Sequence, residues 1–252
     1  MTRKPTPGLF ITGTDTGVGK TYVGALMARQ LTAAGHRVGV YKPAASGCIE
    51  EVGAVISTDA KLLWQAAGCP GDLERVCPQR FLAPLSPHLA ARAEGRPLDT
   101  GLLRSGLDYW QERSDVILVE GIGGLMCPLE KDFYVADLAF YFGFPLVIVS
   151  RNALGTINHT LQTLIAAATF REGLKIAGIV LNRPSPPGDA PSVSTNRQEL
   201  TARCFSPILA EIPWQGEGFD TPVDWMRLAI AAGESPGKMT SGDEQNHESR
   251  LH

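Results

Sequence analysis

The nine residues GTDTGVGKT, positions 13–21, leave little freedom to the fold around them. They stand between a short apolar run at 9–12 and an amphipathic stretch at 21–34, so strand, glycine-rich turn and helix follow one another without a spacer. A turn of this kind aims several backbone N–H groups at one point, and the open amides and dipole of the next helix add positive potential there. The pattern is that of a phosphate-binding loop. Asp15, Thr16, Gly17, Val18 and Gly19 present backbone, Lys20 reaches the β- and γ-phosphates, and the Thr21 hydroxyl is placed for magnesium. One position departs from G-x-x-x-x-G-K-T: Thr14 stands where the first glycine is expected, and Gly13 comes one place early. A bare structural turn would not call for lysine and threonine straight after Gly19, so nucleotide binding is the reading that accounts for both.

Five further apolar runs of strand length, at 38–41, 116–119, 145–149, 178–181 and 208–212, alternate with helical stretches at 59–67, 102–111, 133–142 and 157–170. Alternation of this sort implies an α/β fold: a doubly wound, mostly parallel sheet with helices on both faces, in a single domain spanning 1–232. Residues 183–196 are rich in proline and small polar side chains and are expected to form a surface loop. The stretch from 233 to 252 has no apolar pattern and is expected to be a disordered tail.

Charge narrows the partners. With 23 basic and 26 acidic residues the chain has no global positive field to hold nucleic acid or an anionic membrane, which favours small-molecule chemistry. The five cysteines form no C-x-x-C pair and are expected to be reduced and structural. No secretory signal or membrane-length apolar stretch is visible, so a cytoplasmic location is expected.

Ligands of open parallel sheets gather at the carboxyl ends of strands. Lys42, in YKPAASG, is a cation at such an end, suited to neutralising a transferring phosphoryl group, although a surface lysine would look the same. Glu120 ends the apolar run of VILVEGIGG, where an unpaired carboxylate is costly and a magnesium ion would relieve the cost. Gly121, Gly123 and Gly124 then let backbone approach a ligand. Asp59, in STDA, is either a second metal carboxylate or part of a helix N-cap. The run LGTINH at 154–159 opens a helix whose amides could hold a substrate carboxylate, while His159 receives no role. Asn182 offers one donor and one acceptor to an adenine edge.

Taken in order, GTDTGVGKT, YKPAASG, STDA, LSPH with EGRPLD, VEGIGG, LGTINH, LNR and EIPW resemble the dethiobiotin synthetase family from Phe10 to about Trp214, and a threonine where Thr14 stands belongs to that family's pattern. The resemblance implies a homodimer that uses ATP and Mg2+ to act on 7,8-diaminopelargonic acid and CO2. One amine captures CO2 as a carbamate, ATP phosphorylates it, and the second amine closes the ureido ring. It implies further that Thr16, Lys20 and Lys42 stabilise the carbamate and phosphoryl group, and that Thr21, Asp59 and Glu120 hold the metal. Ser46 and Gly123 would lie against the substrate. Gly155, Thr156, Ile157 and Asn158 would bind its carboxylate across the dimer through backbone amides, and Asn182 and Pro213 would meet adenine.

Two rival readings are weaker. A cobyrinic-acid-type amide synthetase would need a glutaminase portion, for which the stretch after Trp214 is too short. A partitioning or cell-division switch ATPase usually has an additional lysine early in the loop, where this chain has Thr14, Asp15 and Thr16.

Overall fold

Each of the six apolar runs becomes a strand of one sheet in the computed structural model, which describes residues 5–186 and 192–231. The strands are β1 (Gly8–Gly13), β2 (Val38–Tyr41), β3 (Val116–Glu120), β4 (Leu146–Arg151), β5 (Ile176–Asn182) and β6 (Ile208–Ile212). They pair in the order β6-β5-β4-β1-β3-β2, every pair parallel. β1, β2 and the first five residues of β4 are buried throughout, as is β3, which is why their sequences read as unbroken apolar runs. The chain passes from β1 outward to β2, returns through β3, and crosses to the other side of β1 at β4. This reversal opens a crevice at the carboxyl ends of β1, β3 and β4.

The principal helices are α1 (Lys20–Ala33), α2 (Thr58–Ala66), α3 (Val135–Phe142), α4 (Thr156–Thr169), α5 (Ser192–Arg203) and α6 (Trp225–Ala231). α1 packs with α2 and α6, and α4 packs with α5. Fully buried Phe10, Ile11, Met27, Leu63 and Leu118 lie in the core that joins sheet to helices.

Three stretches differ from expectation. The helix expected at 102–111 is broken into Thr100–Ser105 and Asp108–Gln111. The Tyr41 hydroxyl reaches the carbonyls of Leu102 and Leu103 at 3.1 and 3.0 Å, and a Cβ on Gly106 would lie 2.2 Å from that oxygen, so the chain turns here. In the stretch 133–142, Phe133–Tyr134 instead pairs with Pro128–Glu130, and α3 starts at Val135, where the Asp137 carboxylate accepts the Tyr134 N–H at 2.9 Å. The loop expected over 183–196 gives way to α5 from Ser192. Only Asn196 and Leu200 of α5 are buried, and the Asn196 amide donates to Asn152 Oδ1 at 2.8 Å and to the Ala153 carbonyl at 3.2 Å. A helix anchored by a polar pair carries little hydrophobic periodicity, so composition misleads. The middle of the 183–196 stretch and the tail expected from 233 lie outside the described residues.

Candidate active site

The loop between β1 and α1 owes its shape to two glycines. Gly17 and Gly19 have φ of 71° and 95°, a region that disfavours other residues. Thr14 is not among the positive-φ residues, and its N–H continues the ladder to the Val149 carbonyl at 3.0 Å. Glycine is therefore unnecessary at position 14. Asn182, buried at the end of β5, donates Nδ2 to the Val18 carbonyl at 2.8 Å. A carbonyl can only accept, which fixes the amide's orientation. One of the two amide hydrogens thus holds the loop, and the other remains with Oδ1.

Beside this loop the structure brings five of the expected side chains together. Glu120, the last residue of β3, is 1% exposed, and its Oε1 accepts the Thr21 hydroxyl at 2.8 Å and the Lys42 ammonium at 2.5 Å. Lys42 follows β2 directly, is 4% exposed, and also meets Asp59 at 3.1 Å. Lys20 curls back to the Asp15 carbonyl at 3.1 Å. Burial holds the Lys20 pKa below the usual lysine value, against Glu120 and with help from the charge of Lys42. For Lys42 burial also opposes the charge, but Glu120 and Asp59 outweigh it and raise its pKa. An ammonium has three donors, so Lys42 retains one and Lys20 two for an anionic ligand.

The oxygen-bearing side chains of the cluster suit a hard divalent cation. Glu120 Oε2 is buried without a hydrogen-bond partner, and the Asp59 side chain is 52% exposed. With the Thr21 hydroxyl they form an all-oxygen set of the kind magnesium takes. Among the described residues no three His, Cys, Asp or Glu side chains cluster to hold a metal unaided.

Two depressions flank the cluster. One, of about 380 Å³, runs along Asp15, Thr16, Gly123, Cys127, His159 and Gln162. It brings His159, left without a role by sequence, into the neighbourhood of the loop. Thr16 is exposed, its N–H taken by the Asp15 carboxylate at 2.7 Å. Ser46 lies half-buried just beyond Ala44 and Ala45. At the start of α4, Gly155 has φ of 92°, and the amides of Ile157 and Asn158 belong to the first turn, which helices leave without backbone acceptors. The Thr156 hydroxyl is committed to Ser150 at 2.7 Å, and its N–H to the Ala153 carbonyl at 3.2 Å. The other depression, of about 720 Å³, is lined by Gly19, Tyr22, Arg29, Asn182, Pro213 and Trp214. Sequence reading missed Tyr22, and it missed Arg151, whose guanidinium donates to the Gly17 carbonyl at 3.2 Å. Arg151 ends β4, at a strand terminus where ligands gather, and that was the signal available.

A protein-family profile described as an AAA domain matches residues 7–217. The chain is 43% identical to the ATP-dependent dethiobiotin synthetase BioD of Rhodopirellula baltica, over 81% of this chain and 82% of the relative. It is 37% identical to ATP-dependent dethiobiotin synthetase BioD 1 of Escherichia coli, over 82% and 91%. Among solved structures, the signal recognition particle receptor FtsY from Elizabethkingia anophelis aligns with a TM-score of 0.52 at 12% identity, covering 92% of this chain and 67% of that one, a likeness of fold.

Proposed function

The chain belongs to the ATP-dependent dethiobiotin synthetase family, and on that premise we propose that Lys20, Thr21, Lys42, Asp59 and Glu120 form the centre at which it closes the ureido ring. It is an ATP-dependent ligase of biotin biosynthesis. The observation that carries the site assignment is the chain of contacts from Thr21 through Glu120 and Lys42 to Asp59 beside the phosphate loop.

The substrate is a nine-carbon carboxylic acid bearing two neighbouring amines. One amine adds to CO2 and loses a proton to give a carbamate. A carbamate oxygen then attacks the γ-phosphorus of ATP, and ADP leaves. The second amine attacks the carbonyl carbon of the mixed anhydride, and phosphate leaves as the ring closes. Carbamate and triphosphate repel each other, so the chief task of the protein is to hold two anions at reacting distance. The backbone of Asp15, Thr16, Gly17, Val18 and Gly19 cradles the phosphates. Lys20 directs its two unused donors at the phosphoryl oxygens, and Lys42, fixed between Glu120 and Asp59, offers its third to the carbamate or the phosphoryl group in transit. Thr21, Asp59 and Glu120 would hold Mg2+, which would supply charge neutralisation to the triphosphate when bound.

The depression along Thr16, Gly123 and Cys127 accommodates the diamine, with Ser46 towards the carbamate, and the cleft at Asn182 and Pro213 accommodates the nucleoside. The substrate carboxylate is received at the turn over 155–158, chiefly by the amides of Ile157 and Asn158 since that of Thr156 bonds Ala153, from a second copy in a cytoplasmic homodimer. Exposed Leu154 and Ile165, 87% and 63% accessible, support an interface on this side. No described helix is long and apolar enough to cross a membrane. The test is phosphate release in ATP, magnesium and bicarbonate with and without the diamine. Release must depend on the diamine and vanish in Lys42→Met; diamine-independent hydrolysis would defeat the reading.

A further inference from the structure

Tyr22, one residue past Thr21, donates its hydroxyl to the Gly216 carbonyl at 2.6 Å across 194 positions of sequence. Gly216 closes a tight turn over 213–216: its own N–H returns to the Pro213 carbonyl at 3.0 Å, and Gln215 holds a φ of 54°. Left-handed backbone is unfavourable for a residue with a side chain, so such a turn gains from an outside hold. A second link, from Trp225 Nε1 to Gln30 Oε1 at 2.7 Å, fastens the same C-terminal segment farther along α1. Trp214 and Gln215, carried on the turn, form one wall of the cleft of about 720 Å³, and Gly19 and Asn182 line it on the phosphate-loop side.

We propose that Tyr22 is a positioning residue for the nucleoside half of the nucleotide. Its hydroxyl holds the 213–216 turn against α1, so that the Trp214 wall stands at a fixed distance from Asn182 Oδ1 before the base arrives. The inference rests on the nucleoside reading of that cleft. The phosphate half of the ligand is gripped by the loop and by Lys20, none of which bonds to the turn, so the two halves respond differently to loss of the hydroxyl.

The experiment uses the full chain with Tyr22→Phe, which keeps the ring and removes only the hydroxyl. KM for ATP should rise about three- to tenfold, the effect of one net hydrogen bond. The kcat at saturating ATP and the inhibition constant of inorganic tripolyphosphate should stay as they were. Equal weakening of ATP and tripolyphosphate would mean that Tyr22 merely supports the loop and helix, and no weakening of either would mean that the bond positions nothing. Each result overturns the proposal. Trp214→Ala, on the wall itself, should show the same loss confined to ATP, and unchanged ATP affinity there would also overturn it. A separate failure, of the nucleoside reading, is diagnosed in the unaltered protein: tripolyphosphate would then bind as tightly as ATP.

Discussion

Replacing Lys42 by methionine separates two things that the ammonium does. Methionine keeps much of the side chain's apolar volume, so the change removes charge more than it opens a cavity. Glu120 then remains 1% exposed with only the Thr21 hydroxyl on Oε1 and nothing on Oε2. Breaking a buried pair by deleting one member costs about 3–5 kcal/mol, whereas the Asp59 contact, on a side chain 52% exposed, adds little. A domain holds about 5–15 kcal/mol in all, so the variant should fold at 25 °C with a clearly lower urea midpoint. Adding Glu120→Gln removes the stranded charge, and the double variant should recover about 2–3 kcal/mol relative to the sum of the singles. Turnover should not return with it. Urea unfolding followed by circular dichroism, together with diamine-dependent phosphate release, checks both halves. A loss under about 1 kcal/mol in Lys42→Met would show that no buried ion pair organises the site, and restored turnover in the double variant would show that the ammonium takes no part in the chemistry.

Three other expectations follow from the same geometry. Gly19→Ala should abolish nucleotide binding by equilibrium dialysis, since φ is 95° and the new Cβ would fall 2.0 Å from Asn182 Nδ2; retained binding would mean the loop can move without penalty. Its hydrogen bonds with Arg37 hold the Asp115 carboxyl down to about 2, so the stability it lends is complete above its ordinary value of 3.8 and is lost as pH falls towards 2. Screening keeps that effect small at so exposed a pair, but Asp115→Asn should flatten the acid limb of Tm against pH, and an unchanged limb would remove Asp115 from the account. Thiol labelling near neutral pH should reach exposed Cys69 first and spare Cys77 until unfolding, because burial pushes the Cys77 thiol up to about 12; early labelling of Cys77 would contradict its burial.

Much of this molecule is legible in its sequence wherever one physical requirement fixes many residues at once. Strands buried on both faces must be apolar throughout, and so the runs of β1, β2, β3 and β4 could be found, while β5 and β6 kept enough apolar residues on their buried positions to follow. Phosphate binding needs Gly17, Gly19, Lys20 and Thr21 as neighbours, and so the loop could be found. Glu120 was conspicuous because a charge closing an apolar run needs a partner, though which partner depends on the fold: Lys42 lies 78 positions away. Features resting on one distant pair left no local trace. Tyr22 and Gly216 carry no sign of each other, and Gly106 ends a helix only because Tyr41 lies against it. The α5 helix was hidden for a related reason, its anchor being an asparagine and its exposed residues polar.

The central claim is that both ammonium groups flank the phosphoryl group as it passes from ATP to the carbamate. A crystal structure with a non-hydrolysable ATP analogue, Mg2+, bicarbonate and the diamine tests this most directly. Lys20 Nζ and Lys42 Nζ should each lie within about 3.2 Å of an oxygen of the γ-phosphate or the carbamate. A Lys42 still bound only to Glu120 and Asp59, with the diamine elsewhere, would contradict it.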